Sequence, residues 1–247
     1  MAQMTMPAPA AAEPAKPEPD FTFTANVGIF SQYVFRGVSQ TNEKPALQGG
    51  LDLSHKSGFY VGTWGSNISW ISDADPRVSA SLEWDIYGGY KGSLPADFGY
   101  DLGVMYYYYP GSYPSGFTKP NTLELYAGLS WKFLSLKYSY SADNKTFGFP
   151  DSRGSDYWDL SANYDVVDKV NDAIGKVTLM GHVGRQRFKH SSDFDYTDWK
   201  LGASVDVYGV TLGVFYTDTN AKEEFYTNAF GKKIANSQVV GYIQKTF

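Results

Sequence analysis

From Phe21 onward the chain alternates apolar and polar residues with a period of two, the pattern of strands that show one face to each of two environments. In the stretch from Phe98 to Tyr109, one face carries Phe98, Tyr100, Leu102, Val104, Tyr106 and Tyr108, while Gly99, Asp101, Gly103 and Met105 lie opposite. Leu123, Leu125, Ala127, Leu129 and Trp131 alternate in the same way with Glu124, Tyr126, Gly128, Ser130 and Lys132. Ala80, Leu82, Trp84 and Ile86 oppose Ser81, Glu83, Asp85 and Tyr87, and Trp199, Leu201, Ala203, Val205 and Val207 oppose Lys200, Gly202, Ser204 and Asp206. Such runs predict about twelve strands, near 21–36, 46–54, 59–69, 79–91, 98–109, 122–133, 134–142, 156–166, 176–188, 196–207, 209–218 and 237–247. The links between them alternate between short turns, as at His55 to Gly58 or Tyr208 to Gly209, and longer loops, as at Pro110 to Asn121. Val167 to Gly175 is long for a turn and breaks that rhythm.

A soluble barrel with its apolar face inward would show the same period. Three features favour lipid outside: charge on almost every polar face, glycine within strands, and aromatic residues at strand ends. The fold class predicted is therefore all-β, a transmembrane antiparallel up-and-down β-barrel of residues 21–247, preceded by a flexible Pro/Ala-rich tail at residues 1–20. The tail has no charged and apolar leader pattern, so any secretory signal is expected to have been removed. An even strand number with short periplasmic turns puts both termini in the periplasm.

Composition sharpens this picture. The chain of 247 residues holds 20 Tyr, 16 Phe and 6 Trp, yet no run approaches the ~20 apolar residues of a spanning helix. The topology predicts girdle positions at lipid headgroup level for Tyr33, Phe35, Tyr106, Tyr108, Trp131, Tyr140, Trp158, Trp199 and Tyr216. Net charge is −5 with scattered Lys and Arg, which argues against a nucleic-acid partner, and the absence of cysteine removes disulfide and thiol chemistry. The terminal strand ending on Phe247 is similar to the C-terminal assembly signal of bacterial outer-membrane proteins, with Lys245 where a hydrophobic residue is common.

Linear motifs point the same way. Tyr33-Val-Phe-Arg-Gly-Val-Ser-Gln-Thr41, the run Pro45 to Asp52, Ser57-Gly-Phe-Tyr-Val-Gly-Thr-Trp64, Glu124 to Gly128, Lys137 to Ser141 and Tyr196 to Gly202 resemble the TorF family of proteobacterial porins, also called Gcw_chp. The resemblance spans nearly the whole barrel and implies a porin of the Gram-negative outer membrane.

No nucleophile elbow, zincin motif, phosphate loop or cysteine ligand set is present, so no enzyme, cofactor or metal is expected. His182 with a neighbouring serine would be the pair for a barrel hydrolase, and a polar lumen residue is the simpler reading. Acidic pairs Asp73 with Asp75 and Asp193 with Asp195 could hold calcium but equally suit a solvated rim. The predicted lumen lining is Arg36, Asp52, Glu83, Asp85, Asp101, Glu124, Lys132, Lys137, Asp159, Asp165, His182, Lys200 and Asp206. About eight strands fill their own bore and 16–18 leave an open channel, so twelve predict a narrow pore for small polar or ionic solutes. The expected partners are membrane lipid, lipopolysaccharide, the barrel-assembly machinery and an unidentified polar solute. A non-conducting structural or adhesion barrel is the alternative of a different class.

Overall fold

A computed structural model describes residues 19–247. Of the expected tail, residues 1–18 lie outside the described residues. Twelve antiparallel strands close into one barrel: β1 (Phe21–Phe30), β2 (Ala46–His55), β3 (Phe59–Asn67), β4 (Leu82–Leu94), β5 (Phe98–Tyr108), β6 (Thr122–Trp131), β7 (Leu134–Ser141), β8 (Asp156–Val167), β9 (Ile174–Arg187), β10 (Tyr196–Val207), β11 (Val210–Thr219) and β12 (Gln238–Thr246). Each strand pairs with its sequence neighbours, and β1 meets β12 with Asn26 opposite Thr246 and Phe30 opposite Tyr242. Closure leaves no strand edge unpaired, which an apolar surrounding demands because no water is there to satisfy backbone groups.

The outer wall follows from the alternation. Ile29, Leu47, Leu51, Leu102, Leu125, Leu160, Leu201 and Val214 are all exposed. On this wall Tyr106, Tyr108, Tyr140, Trp158, Trp199 and Tyr216 lie toward the mouth with the long loops, and Phe21, Phe23, Trp131, Tyr164 and Phe247 toward the mouth with the short turns. Phe247 extends the closing seam, its amide donating to the Ala25 carbonyl at 2.8 Å.

The turns explain two departures from the expected boundaries. Lys132 and Phe133 form a two-residue turn between Trp131 and Leu134, with Lys132 at φ 53°. Lys132 is thus exposed on that turn, its ammonium 4.7 Å from the Trp131 ring, and does not line the lumen. The register shifts at Asp165/Val167 in the β8–β9 pair and at Ile174/Val177 in the β9–β10 pair, and both β8 and β9 run into what the sequence suggested was a long link. Bulges of this kind absorb extra residues without breaking the ladder.

The largest departure is at the first loop. β1 stops at Phe30, where strand character was expected to continue to residue 36. Residues 31–45 turn back into the barrel, with Val34–Phe35 pairing with Val38–Ser39 in a small hairpin. Its two-residue turn is Arg36-Gly37, at φ 47° and 79°, and positive φ at both central residues is the mark of the tight hairpin turn. Tyr33 and Phe35 therefore do not belong to the outer girdle. Tyr33 is buried with Ala46, Ile68, Val78, Ala80, Tyr107 and Tyr109 in an apolar cluster inside the long-loop mouth. Ile71, on the short helix α1 (Trp70–Ala74), is 1% exposed in the same cluster. Ile71→Ala is expected to loosen this packing by about 2–5 kcal/mol, the cost of a buried large-to-small change. Limited proteolysis should then cut residues 31–45 and 68–81 while the barrel stays folded.

Candidate functional site: a constricted polar lumen

The hairpin crosses the bore and its tip reaches the far wall. The Arg36 guanidinium donates to Glu124 Oε2 on β6 at 2.7 Å and to Gln186 Oε1 on β9 at 2.8 Å. Side-chain exposure is 7% for Arg36 and 3% for Glu124. The guanidinium carbon also lies 4.2 Å from the Tyr157 ring centroid and 4.8 Å from that of Phe35, so rings cover faces that its hydrogen bonds leave open. Gly37 presses on β10 and β11: a Cβ there would sit 2.5 Å from Thr219 Cγ2 and 2.7 Å from Asp198 Cβ. The tip has room only for glycine. Nearer the base of the hairpin, the Tyr33 hydroxyl donates to Glu83 on β4 at 2.6 Å.

Below the tip is a cavity of about 260 Å³ lined by Arg36, Lys137, Asp159, Ser161, His182, Asp198, Lys200 and neighbouring residues. It opens into a vestibule of about 790 Å³ at the short-turn mouth, where Lys56, Lys91 and Asp101 join Lys137, Asp159 and Ser161. Because those last three residues line both spaces, the lumen is continuous from the hairpin to the short-turn mouth.

The wall of this lumen is internally bonded. His182 on β9 lies between two carboxylates, Nε2 at 2.9 Å from Asp198 and Nδ1 at 3.2 Å from Asp159. Tyr157 donates to Asp198 at 3.0 Å, and Ser161 donates to Asp159 at 2.5 Å. Tyr60 donates to Asp101 at 2.6 Å and meets the Tyr126 hydroxyl, while Tyr87 donates to Asp52 at 2.7 Å. Lys137 lies 4.0 Å from the Tyr126 ring and Lys200 5.3 Å from that of Phe215. Among the described residues neither lysine has a carboxylate within ion-pair distance.

Twelve of the thirteen residues expected in the lumen are on its face or inside it; Lys132 is the exception. They divide by place. Glu83, Asp85 and Glu124 are sealed around the hairpin, and one oxygen of Asp85 is buried with no partner. Asp52, Asp101, Lys137, Asp159, His182 and Lys200 face the open part. Asp165, bound to Lys176 at 2.9 Å, and Asp206, which accepts from Thr211 at 2.7 Å, lie at the short-turn end. Arg36 reaches the lumen through the hairpin and not from a wall strand. Asp198, Gln186 and Tyr157 were missed, although Asp198 shares the parity of Lys200 and Tyr157 that of Asp159, which would have been enough to find them.

Ser161, His182 and Asp198 are close enough to suggest hydrolytic chemistry, but the arrangement does not support it. Ser161 lies 3.2 Å from His182 Nδ1 but gives its proton to Asp159 at 2.5 Å, each ring nitrogen of His182 also faces a carboxylate, and the neighbouring strand amides are used in the barrel ladder. Among the described residues no amide pair is free to stabilise an oxyanion beside Ser161. The acidic loop pairs are likewise engaged: Asp73 accepts from Ser69 at 2.6 Å, Asp193 from Lys222 at 2.6 Å and Asp195 from the Phe188 amide at 2.7 Å. Hydrogen bonds from Arg77 hold the Asp75 carboxyl down at about 2. Among the described residues no group of three or more His, Cys, Asp or Glu is placed to hold a metal ion.

Residues 12–247 match the model of a family described as bacterial protein of unknown function (Gcw_chp). The chain belongs to that family. No curated protein matches this Gcw_chp chain. Among solved structures, the KdgM porin is similar with a TM-score of 0.54 at 9% identity, over 91% of this chain and 99% of the porin. The KdgM porin in complex with disordered oligogalacturonate gives 0.53 at 10% identity, again over 91% and 99%. The NanC porin gives 0.47 at 12% identity, over 91% and 98%. At these identities the two likenesses to the KdgM porin are ones of fold: this Gcw_chp member shares the closed-barrel fold of that porin.

Proposed function

We propose that this Gcw_chp protein is a narrow outer-membrane porin for passive diffusion of small polar or ionic solutes, as the resemblance to TorF-family porins suggests. The observation that carries the reading is the continuous charged lumen running from the short-turn mouth to a constriction made by one hairpin. A structural barrel would need no such lumen, and twelve strands crossed by a hairpin leave too narrow a bore for a wide general porin. In this reading the short turns and both termini face the periplasm, the long loops meet lipopolysaccharide, and Phe247 is read by the barrel-assembly machinery. The aromatic residues at the two ends of the outer wall sit at headgroup level.

Solute in the lumen meets a wall of interleaved charge, with Asp101, Lys137, Asp159, His182 and Lys200 on β5, β7, β8, β9 and β10. Charged side chains lining a bore of this kind tune selectivity. Removing both lysine charges, in Lys137→Gln with Lys200→Gln, is expected to shift the reversal potential in a salt gradient toward cation preference. Asp101→Asn is expected to shift it the opposite way. Reversal potentials that stay at the wild-type value in both variants would remove these residues from the path of permeation.

A further inference from the structure

Toward the long-loop mouth, the outer wall carries positive charge at the end of β9. Gln186 points inward to Arg36, so its neighbours Arg185 and Arg187 point outward. Arg185 is exposed and stands opposite Trp158 on β8 and Thr197 on β10, level with the aromatic residues of that rim. Its guanidinium donates to the Thr197 hydroxyl at 3.1 Å. The chain just beyond continues the patch. The Lys189 amide donates to Ser155 Oγ at 2.9 Å and His190 Nδ1 donates to the Asp151 carbonyl at 2.8 Å, which holds the segment carrying Arg153 against the end of β9. Residues 151–156 and 185–190 thus bring Arg153, Arg185, Arg187 and Lys189 together with two carboxylates, Asp151 and Asp156. Asp156 is paired with Arg187 at 2.9 Å, and Asp151 accepts from Asn144 at 3.0 Å. Among the described residues Arg153, Arg185 and Lys189 have no carboxylate within ion-pair distance.

Level and chemistry together name the occupant. An outward arginine is costly in hydrocarbon and tolerated near the interface, where lipid phosphate lies, and its planar fork matches phosphate oxygens bidentately. Cations at the short-turn mouth are already held: Lys56 by Asp20 at 2.6 Å, Lys176 by Asp165 at 2.9 Å, Lys245 by the Gly209 carbonyl at 2.7 Å and Lys132 by the face of Trp131. Phospholipid would offer phosphate at both mouths, so a free cationic patch at one mouth fits a leaflet whose own lipid is a phosphorylated glycolipid. We propose that Arg153, Arg185 and Lys189 form a docking site for the phosphates of lipopolysaccharide, with its acyl chains on the exposed Leu160, Val183 and Leu201 just below. The choice of leaflet rests on the reading that the long loops face outward. Binding at the patch is measurable whether or not the lumen conducts.

The experiment is a titration of the refolded full chain in detergent with bisphosphorylated lipid A, dephosphorylated lipid A and phosphatidylglycerol, read by native mass spectrometry. Bisphosphorylated lipid A is expected to bind saturably at one per chain, at least tenfold tighter than either of the others. Arg185→Gln should weaken it severalfold, and Arg153→Gln with Arg185→Gln and Lys189→Gln should bring it to the level of the dephosphorylated lipid. All three side chains are exposed, and heat-modifiable gel mobility confirms that each barrel is formed. Lys119→Gln, which removes an exposed cation from the β5–β6 loop, should change nothing. Equal binding by wild type and the triple variant, or equal binding of lipid A with and without its phosphates, overturns the proposal. A loss on Lys119→Gln as large as that on Arg185→Gln would mean diffuse attraction by the whole mouth and overturns the site. Phosphatidylglycerol bound as tightly as lipid A overturns the assignment of a glycolipid.

Discussion

Gly37→Val is expected to raise solute flux through the barrel several-fold, the largest functional effect of any single substitution at the lumen. The new side chain would collide with Thr219 and Asp198, and residue 37 sits at φ 79°, where a β-branched residue is strained. The barrel strands do not depend on this contact, so the hairpin gives way and the wall stays. The constriction is then lost. Liposome swelling with sugars of graded size is the check: the variant should admit larger sugars than wild type, with unchanged heat-modifiable mobility. Equal swelling rates would mean that the hairpin tip does not limit passage.

The largest expected effect on stability comes from the pair beneath that tip. Arg36→Met keeps most of the side-chain length but leaves Glu124 buried, with only the Tyr107 hydroxyl at 3.2 Å beside it. Breaking a buried pair by removing one partner typically costs about 3–5 kcal/mol, because the remaining charge has lost its compensation. Adding Glu124→Leu removes that charge, and the double variant should recover much of the loss, since a buried pair is often no better than apolar side chains of similar volume. Denaturant unfolding of the three variants in one detergent measures the coupling. Strictly additive losses would show that Arg36 and Glu124 do not act as a pair.

Both predictions concern a feature that alternation conceals. Period-two reading found the barrel, its strand number and most lumen residues because a strand's two faces are imposed by lipid and water along its whole length. It misled at residues 31–36, where Tyr33 and Phe35 keep the apolar parity of β1 yet follow a chain that has already left the wall. Their rings find an apolar surrounding inside the mouth, against Ile71 and Tyr107, and parity does not distinguish that surrounding from lipid. The signal available was Arg36-Gly37 between Val34-Phe35 and Val38-Ser39, a tight-hairpin pattern weakened by Arg in place of the more usual Asn or Asp. The His182 site was half legible. His182, Asp159 and Lys200 were placed in the lumen by parity, but the contact of His182 with Asp198 depends on the register between β9 and β10, which periodicity does not fix.

The same distinction bears on the pore itself. Twelve strands give a bore intermediate between a filled barrel and an open channel, and the number alone does not decide whether solute passes. The inward hairpin decides how much of that bore remains. The direct measurement is single-channel conductance of the refolded wild-type protein in planar bilayers, with neutral polymers sizing the bore. Small, discrete, ion-selective steps, reduced only by polymers small enough to enter the lumen, are the predicted result. A correctly folded barrel that stays silent, both as wild type and as Gly37→Val, would contradict a diffusion pore.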